Sequence, residues 1–176
     1  SYSDRGSSNA NSAIIVSVTP EDFNGNDALC GVRFQRDLEA KAYALGNGKI
    51  PQQLFKDYCD NKASTGYGDF SSETKGANTF TNLRGLLTKD MEQSFIDGMH
   101  SFARHIPGFD RDDAILSGIE SRTSSPIRMN RDKTFQSNIS GIYPCGEGAG
   151  YAGGITSAAM DGMKVAEAII QKYQAF

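Results

Sequence analysis

Gly141-Ile-Tyr-Pro-Cys-Gly-Glu-Gly-Ala-Gly-Tyr-Ala-Gly-Gly-Ile-Thr-Ser-Ala-Ala-Met-Asp-Gly162 decides how this chain is read. Ile142 and Tyr143 form a short apolar run, so residues 141–144 are expected to be a strand. Five glycines follow between Gly146 and Gly154. A helix is then expected from about 154 to 173, with Ile155, Ala158, Ala159, Gly162, Met163, Ala166, Ile169 and Ile170 on one stripe. The middle of that stripe is small, which suits close packing on a sheet. Strand, glycine loop and helix together predict a mixed α/β (α+β) fold.

The loop has a chemistry of its own. Glycine permits close approach of backbone amides to a ligand, and a helix N-terminus presents unpaired N–H groups there. Gly146, Gly148, Gly153, Gly154, Ile155 and Thr156 are therefore candidate binding positions. Glu147 stands at the loop apex and no lysine accompanies it. An ionised carboxylate only accepts hydrogen bonds, so it would repel a phosphate and suit a ligand rich in hydroxyls. The competing reading is a glycine-rich turn that serves tight packing alone.

The string from Tyr143 to Gly162 resembles the C-terminal flavin-binding segment of uncharacterised bacterial FAD-dependent dehydrogenases. These are two-domain flavoproteins of the glutathione-reductase-like superfamily. Glu120-Ser-Arg-Thr-Ser-Ser-Pro-Ile-Arg-Met-Asn-Arg-Asp132 and Ser12-Ala-Ile-Ile-Val-Ser-Val18 look like theirs too. The resemblance implies FAD as cofactor, with Glu147 accepting from its ribityl chain. It also implies that Gly154, Ile155 and Thr156 present helix amides to the N1–C2=O edge of the flavin. Many relatives place Asp where Glu147 stands, so the contact can differ in detail.

One departure is large. Such enzymes open with a strand and a G-x-G-x-x-G turn for the ADP half of FAD, and this chain does not open with that element. The resemblance then implies the C-terminal part of a longer oxidoreductase. Its partner would be the N-terminal FAD-binding part of the same protein, and its substrate an unknown small molecule. FAD is expected in that full-length protein and not in these 176 residues alone. The expected organisation is a flexible segment over 1–12, part of a substrate domain over 13–135, and a partial FAD-binding domain, its last strand and helix, over 136–176.

Totals narrow the classes further. A net charge of −3 and the lack of basic clusters count against nucleic acid, hence against a flavin-dependent RNA-modifying enzyme. No apolar run reaches the ~20 residues of a membrane span. Cys30, Cys59 and Cys145 have no metal-ligand spacing, and an odd count favours reduced thiols and a cytoplasmic setting. A non-catalytic ligand-binding or assembly module stays open as the other reading.

Along the rest of the chain, residues 13–18 are β-branched and read as a buried strand. Thr19, Pro20 and Asp22 read as a helical turn. Cys30, Phe34, Leu38 and Ala42 predict a helix over about 27–45, stopped by Gly46. Pro51 is expected to open a second helix carrying Leu54, Phe55, Tyr58 and Cys59. Residues 61–82 have no period, although Tyr67, Phe70 and Phe80 suggest a packed loop. Met91, Phe95, Met99, Phe102 and Ile106 predict a helix over 89–105. Residues 114–119 and 126–129 read as short strands. Arg122 and Arg128 could clamp an anion, and Cys145 could take a redox role at the loop mouth. His100 and His105 are candidate bases, with exposed or packed histidine as the plainer alternative.

Overall fold

A computed structural model describes residues 6–173. The proposed flexible segment over 1–12 lies partly outside these residues. A 3₁₀ turn spans Pro20–Asp22, as the capping pattern predicts. The elements that follow are α1 (Cys30–Leu45), β1 (Ile50–Leu54), α2 (Phe55–Cys59), β2 (Asn78–Phe80), α3 (Lys89–Ala103), β3 (Ile115–Ser117) and α4 (Ile155–Tyr173). The fold is a mixed α/β one. Its chain contacts fall into two units, one of residues up to Thr19 with Arg36–Glu120, the other of Pro20–Gln35 with the residues from Ser121 on.

The first unit holds a three-stranded sheet in the order β2-β1-β3. β1 pairs parallel with β2 (Ile50↔Asn78) and antiparallel with β3 (Gln52↔Ser117). Ala42, Tyr58, Leu83 and Leu86 form the core cluster, with Phe95, Ile96, Leu116 and Ile119 packed against it. α3 obeys its apolar period: Met91 and Met99 are buried. Thr88 caps it by accepting from the Met91 amide at 3.4 Å, and so satisfies one of the four orphan donors of its first turn.

The helix expected from Pro51 begins only at Phe55, as α2, and β1 takes the place of its first residues. The segment Ile50-Pro-Gln-Gln-Leu is central in the sheet, yet its middle is polar. Gln52 and Gln53 are both 0 % exposed. Each amide is satisfied, which offsets the cost of burying it. Gln52 Nε2 lies within hydrogen-bond distance of the Ser72, Thr74 and Ser117 hydroxyls, and its Oε1 accepts from Tyr67 at 2.8 Å. Gln53 Nε2 donates to the Lys62 carbonyl at 2.7 Å and to Asn82, while its Oε1 accepts from the Leu83 amide at 2.7 Å. Pro51, which lacks an N–H, stands one residue before the stretch paired with β3, where a missing donor interrupts no ladder. These bonds also order residues 61–82, the region without sequence period. Tyr67 packs edge-on to Phe80 there, with ring centroids 4.7 Å apart.

The second unit contains no strand among the described residues. Three expected strands are absent: residues 13–18 in the first unit, and 126–129 and 141–144 in the second, are irregular or turn. β-branched composition makes a strand only where a neighbour completes the ladder. Ile15 and Ile142 are exposed instead. Isolated bonds tie the second unit together, including Met129 N–H to the Ala149 carbonyl at 3.1 Å and Ser137 N–H to the Ile142 carbonyl at 2.8 Å. Gln35 Nε2 reaches the carbonyls of Ser121 and Ser124, and Phe23 packs on Phe34 at 5.4 Å.

α4 has the predicted span, but the expectation that its small stripe packs on a sheet is corrected. Val165 is its one buried residue among those described. Ile155 is 94 % exposed and Met163 64 %. With residues 141–144 not in a strand, this unit has no strand among the described residues to cover that stripe. No helix among the described residues is long and apolar enough to cross a membrane.

Candidate functional site

The glycine loop of the second unit is pinned by one ion pair. Arg131 Nη2 meets Asp161 Oδ1 at 2.6 Å and Arg131 Nη1 meets Asp161 Oδ2 at 2.9 Å, a forked geometry. Arg131 Nη1 also donates to the Pro144 carbonyl at 2.8 Å. Asp161, on the first half of α4, accepts from the Gly146 amide at 2.8 Å. One pair thus fixes the entrance of the loop to the helix that leaves it. The Arg131 hydrogen bonds, followed by the Gly146 amide, hold the Asp161 carboxyl down at about 2 against the opposing effect of burial.

Tyr151 completes the arrangement. The Arg131 guanidinium lies 3.6 Å from its ring centroid and that of Arg128 4.3 Å. Cations over an aromatic face are attracted by its quadrupole, so the loop is held by its side chain as well as its backbone. Arg128 is thereby brought to the loop. Arg122 lies exposed earlier in the same unit.

The glycines have different tasks. Gly150 has φ +81°, and a Cβ there would lie 2.5 Å from the Ile127 carbonyl oxygen. This position needs glycine for local reasons. Gly148 and Gly153 do not: a Cβ at either meets nothing within 4 Å. At Gly154 the nearest atom is Ser157 Oγ at 3.6 Å, an ordinary contact. Packing within the described residues therefore explains Gly150 but not these three.

The helix start is open as well. Gly154 accepts the Ala158 amide at 2.9 Å and carries no capping side chain. Ser157 Oγ turns back to the Gly154 N–H and carbonyl. The amides of Ile155 and Thr156 make no hydrogen bond among the described residues. Glu147 is exposed, and its carboxylate has no partner among them. An acceptor, free amides and two open glycines thus border the same short loop, a chemistry that fits the hydroxyls and polar edge of a flavin. Cys145 is an exposed free thiol beside it.

In the first unit, His100 Nδ1 lies 2.8 Å from Asp110 Oδ2, and its ring meets Phe55 edge-on. His105 is exposed past the end of α3. Neither joins a cluster of chemically active groups, which matches the plainer reading of both.

Sequence reasoning missed Arg131, Asp161 and Tyr151. The available signal was Asp161, the one acid in the small-residue first half of α4. An acid at that place asks for a cation, and Arg131 lies in the arginine-bearing segment just before the loop.

Comparison with known proteins places these observations. The chain is 46 % identical, over 176 residues, to an uncharacterised protein of Clostridium beijerinckii. The match covers 98 % of this chain and 33 % of the relative, so the chain spans about a third of that relative's length. Residues 1–123 match the family described as FAD-dependent protein, C-terminal domain-like, a stretch that ends before the glycine loop. The chain belongs to that family of FAD-dependent proteins.

Proposed function

We propose that the chain serves an FAD-dependent oxidoreductase of the dehydrogenase type, within the glutathione-reductase-like superfamily. The observation that carries this reading is the pair of open glycines, Gly148 and Gly153, beside uncapped helix amides. Glycine retained where neither its own backbone nor its neighbours require it suits a ligand that approaches the main chain. Glu147 would accept from the ribityl hydroxyls. Gly146 and Gly148 would let that carboxylate turn outward, and Gly153, Ile155 and Thr156 would present N–H groups to the polar edge of the ring, while the Gly154 N–H is held by Ser157 Oγ. Bound FAD supplies the hydride- or electron-accepting centre; the protein supplies orientation and electrostatics. Arg131 and Asp161 would hold the loop in place, acting through Gly146.

The family assignment supports the cofactor, and the exposed apolar side of α4 supports the proposed partner, an FAD-binding region of the same longer protein. Ile155, Met163 and Ile170 on that side are each more than half exposed, a surface suited to burial against further chain.

The test is FAD retention in a protein extended to the length of the relative. Glu147→Ala should weaken it by about 1.5–3 kcal/mol, the range for hydrogen bonds to a charged group, and Gly153→Val should abolish it. Both variants should keep their folding stability. Unchanged FAD affinity in both would leave the loop with a packing role only.

A further inference from the structure

The first unit carries a cleft of about 680 Å³, separate in sequence from the glycine loop. Residues 7–14 form one wall, tied down by Asn9 Nδ2 to the Ser71 carbonyl at 2.8 Å. Phe70, Phe109, Met99 and Ile115 give it apolar surface, and Ser72, Thr74 and Ser117 give it hydroxyls. The volume lies within the range of small-molecule sites, ~300–1,000 Å³.

The hydroxyls are not free to point anywhere. All three surround Gln52 Nε2, at 2.9, 3.2 and 2.9 Å from Ser72, Thr74 and Ser117 respectively. The amide nitrogen has two hydrogens to donate; the 2.9 Å contacts take them to Ser72 and Ser117, whose own hydrogens must then turn elsewhere. In this orientation the amide oxygen accepts from Tyr67 at 2.8 Å. Ser72 spends its hydrogen on Thr74 Oγ1 at 2.8 Å. Thr74 and Ser117 are left with hydrogens that have no acceptor among the described residues. A buried amide has in effect set two exposed hydroxyls as donors.

Charge narrows the class further. The cleft is lined by two acids, Glu73 and Glu120, and two bases, Lys75 and Arg111. Arg111 is already forked onto Asp113 and paired with Asp69. The balance favours neither an anion nor a cation. We propose that this cleft binds a neutral, partly apolar small molecule through a carbonyl or equivalent oxygen, which accepts from Thr74 and Ser117. All of its lining lies within the matched family region, and the inference does not depend on the flavin reading.

Three probes of similar shape test it: benzamide, benzoate and benzylamine, titrated into the ¹⁵N-labelled chain without flavin. Benzamide should shift the amides of residues 72–75 and 115–117 saturably, and bind at least fivefold more tightly than either charged probe. Thr74→Val and Ser117→Ala should each weaken it at least fivefold, whereas Thr74→Ser, which keeps the hydroxyl, should not. Both side chains are exposed, and a dispersed amide spectrum confirms that each variant is folded. Absence of saturable benzamide shifts at these positions, equal affinity in the Val and Ala variants, or tighter binding of benzylamine or benzoate would overturn the proposal.

Discussion

Replacing Asp161 by Asn removes one charge and little else, so its effect isolates the ion pair that holds the glycine loop. Asp161 accepts three hydrogen bonds, two from Arg131 and one from the Gly146 amide. An Asn side chain offers one acceptor oxygen, so at least one of those donors then faces an NH₂ group. The Arg131 side chain is 9 % exposed and would keep its charge without a counter-ion. Breaking a buried pair by removing one partner costs about 3–5 kcal/mol. Asp161 retains 12 % exposure, which places the expected loss near the lower end, about 3 kcal/mol. With a urea slope of about 2 kcal/mol per molar, the midpoint should fall by about 1.5 M. The double variant Arg131→Met/Asp161→Leu should lose clearly less than the sum of its two single variants, because it leaves no charge stranded. A midpoint shift under about 0.3 M, or strict additivity of the two substitutions, would refute the account of the loop given above.

The same carboxyl fixes a pH dependence. Its value in the fold, about 2, lies below the ordinary aspartate value of about 3.9. Its contribution is therefore complete above that ordinary value and is lost as pH falls toward 2; acid titration of Asp161→Asn should lack this portion of the slope. Gly150→Ala should cost about 1–3 kcal/mol from backbone strain alone, with the clash on Ile127 added, while Gly148→Ala should stay within about 0.5 kcal/mol of the parent. The reverse ranking in urea denaturation would show that the loop is held in another conformation. Gln53→Leu strands the Lys62 carbonyl and the Leu83 amide, so thermal and urea unfolding should show a loss of about 2–4 kcal/mol; a loss under 1 kcal/mol would mean that neither group depends on it.

The three long helices were legible in span because each carries an apolar period, and in α1 and α3 the packing follows it. Leu38 and Ala42 in α1, and Met91 and Met99 in α3, are buried where the four-residue recurrence put them. The sheet was largely illegible. β1 contains a proline and two glutamines, and what makes it a central strand is the supply of hydroxyls and carbonyls from residues 62, 72, 74, 82 and 117. No local window holds that information. The error also ran the other way: residues 13–18 and 141–144 have strand composition but pair with no strand. At the candidate site, the glycines and Glu147 could be read because their backbone freedom and charge are local properties. The Arg131–Asp161 pair could not, since its partners stand thirty residues apart.

Gln52 and Gln53 have a consequence for folding fidelity. Neighbours in a strand point to opposite faces, so two identical side chains serve two unlike sets of partners. If β1 slipped by one position, one set would still receive a glutamine. The other would receive Leu54 or Pro51, which can neither donate to nor accept from it through a side chain. An ordinary apolar strand can slip and lose only packing; this one would lose at once the hydrogen bonds that satisfy a buried glutamine and its partners. β1 therefore proofreads its own alignment. Selection from a library randomised at these two positions should return glutamine at both, where most buried strands would accept any of several aliphatic residues.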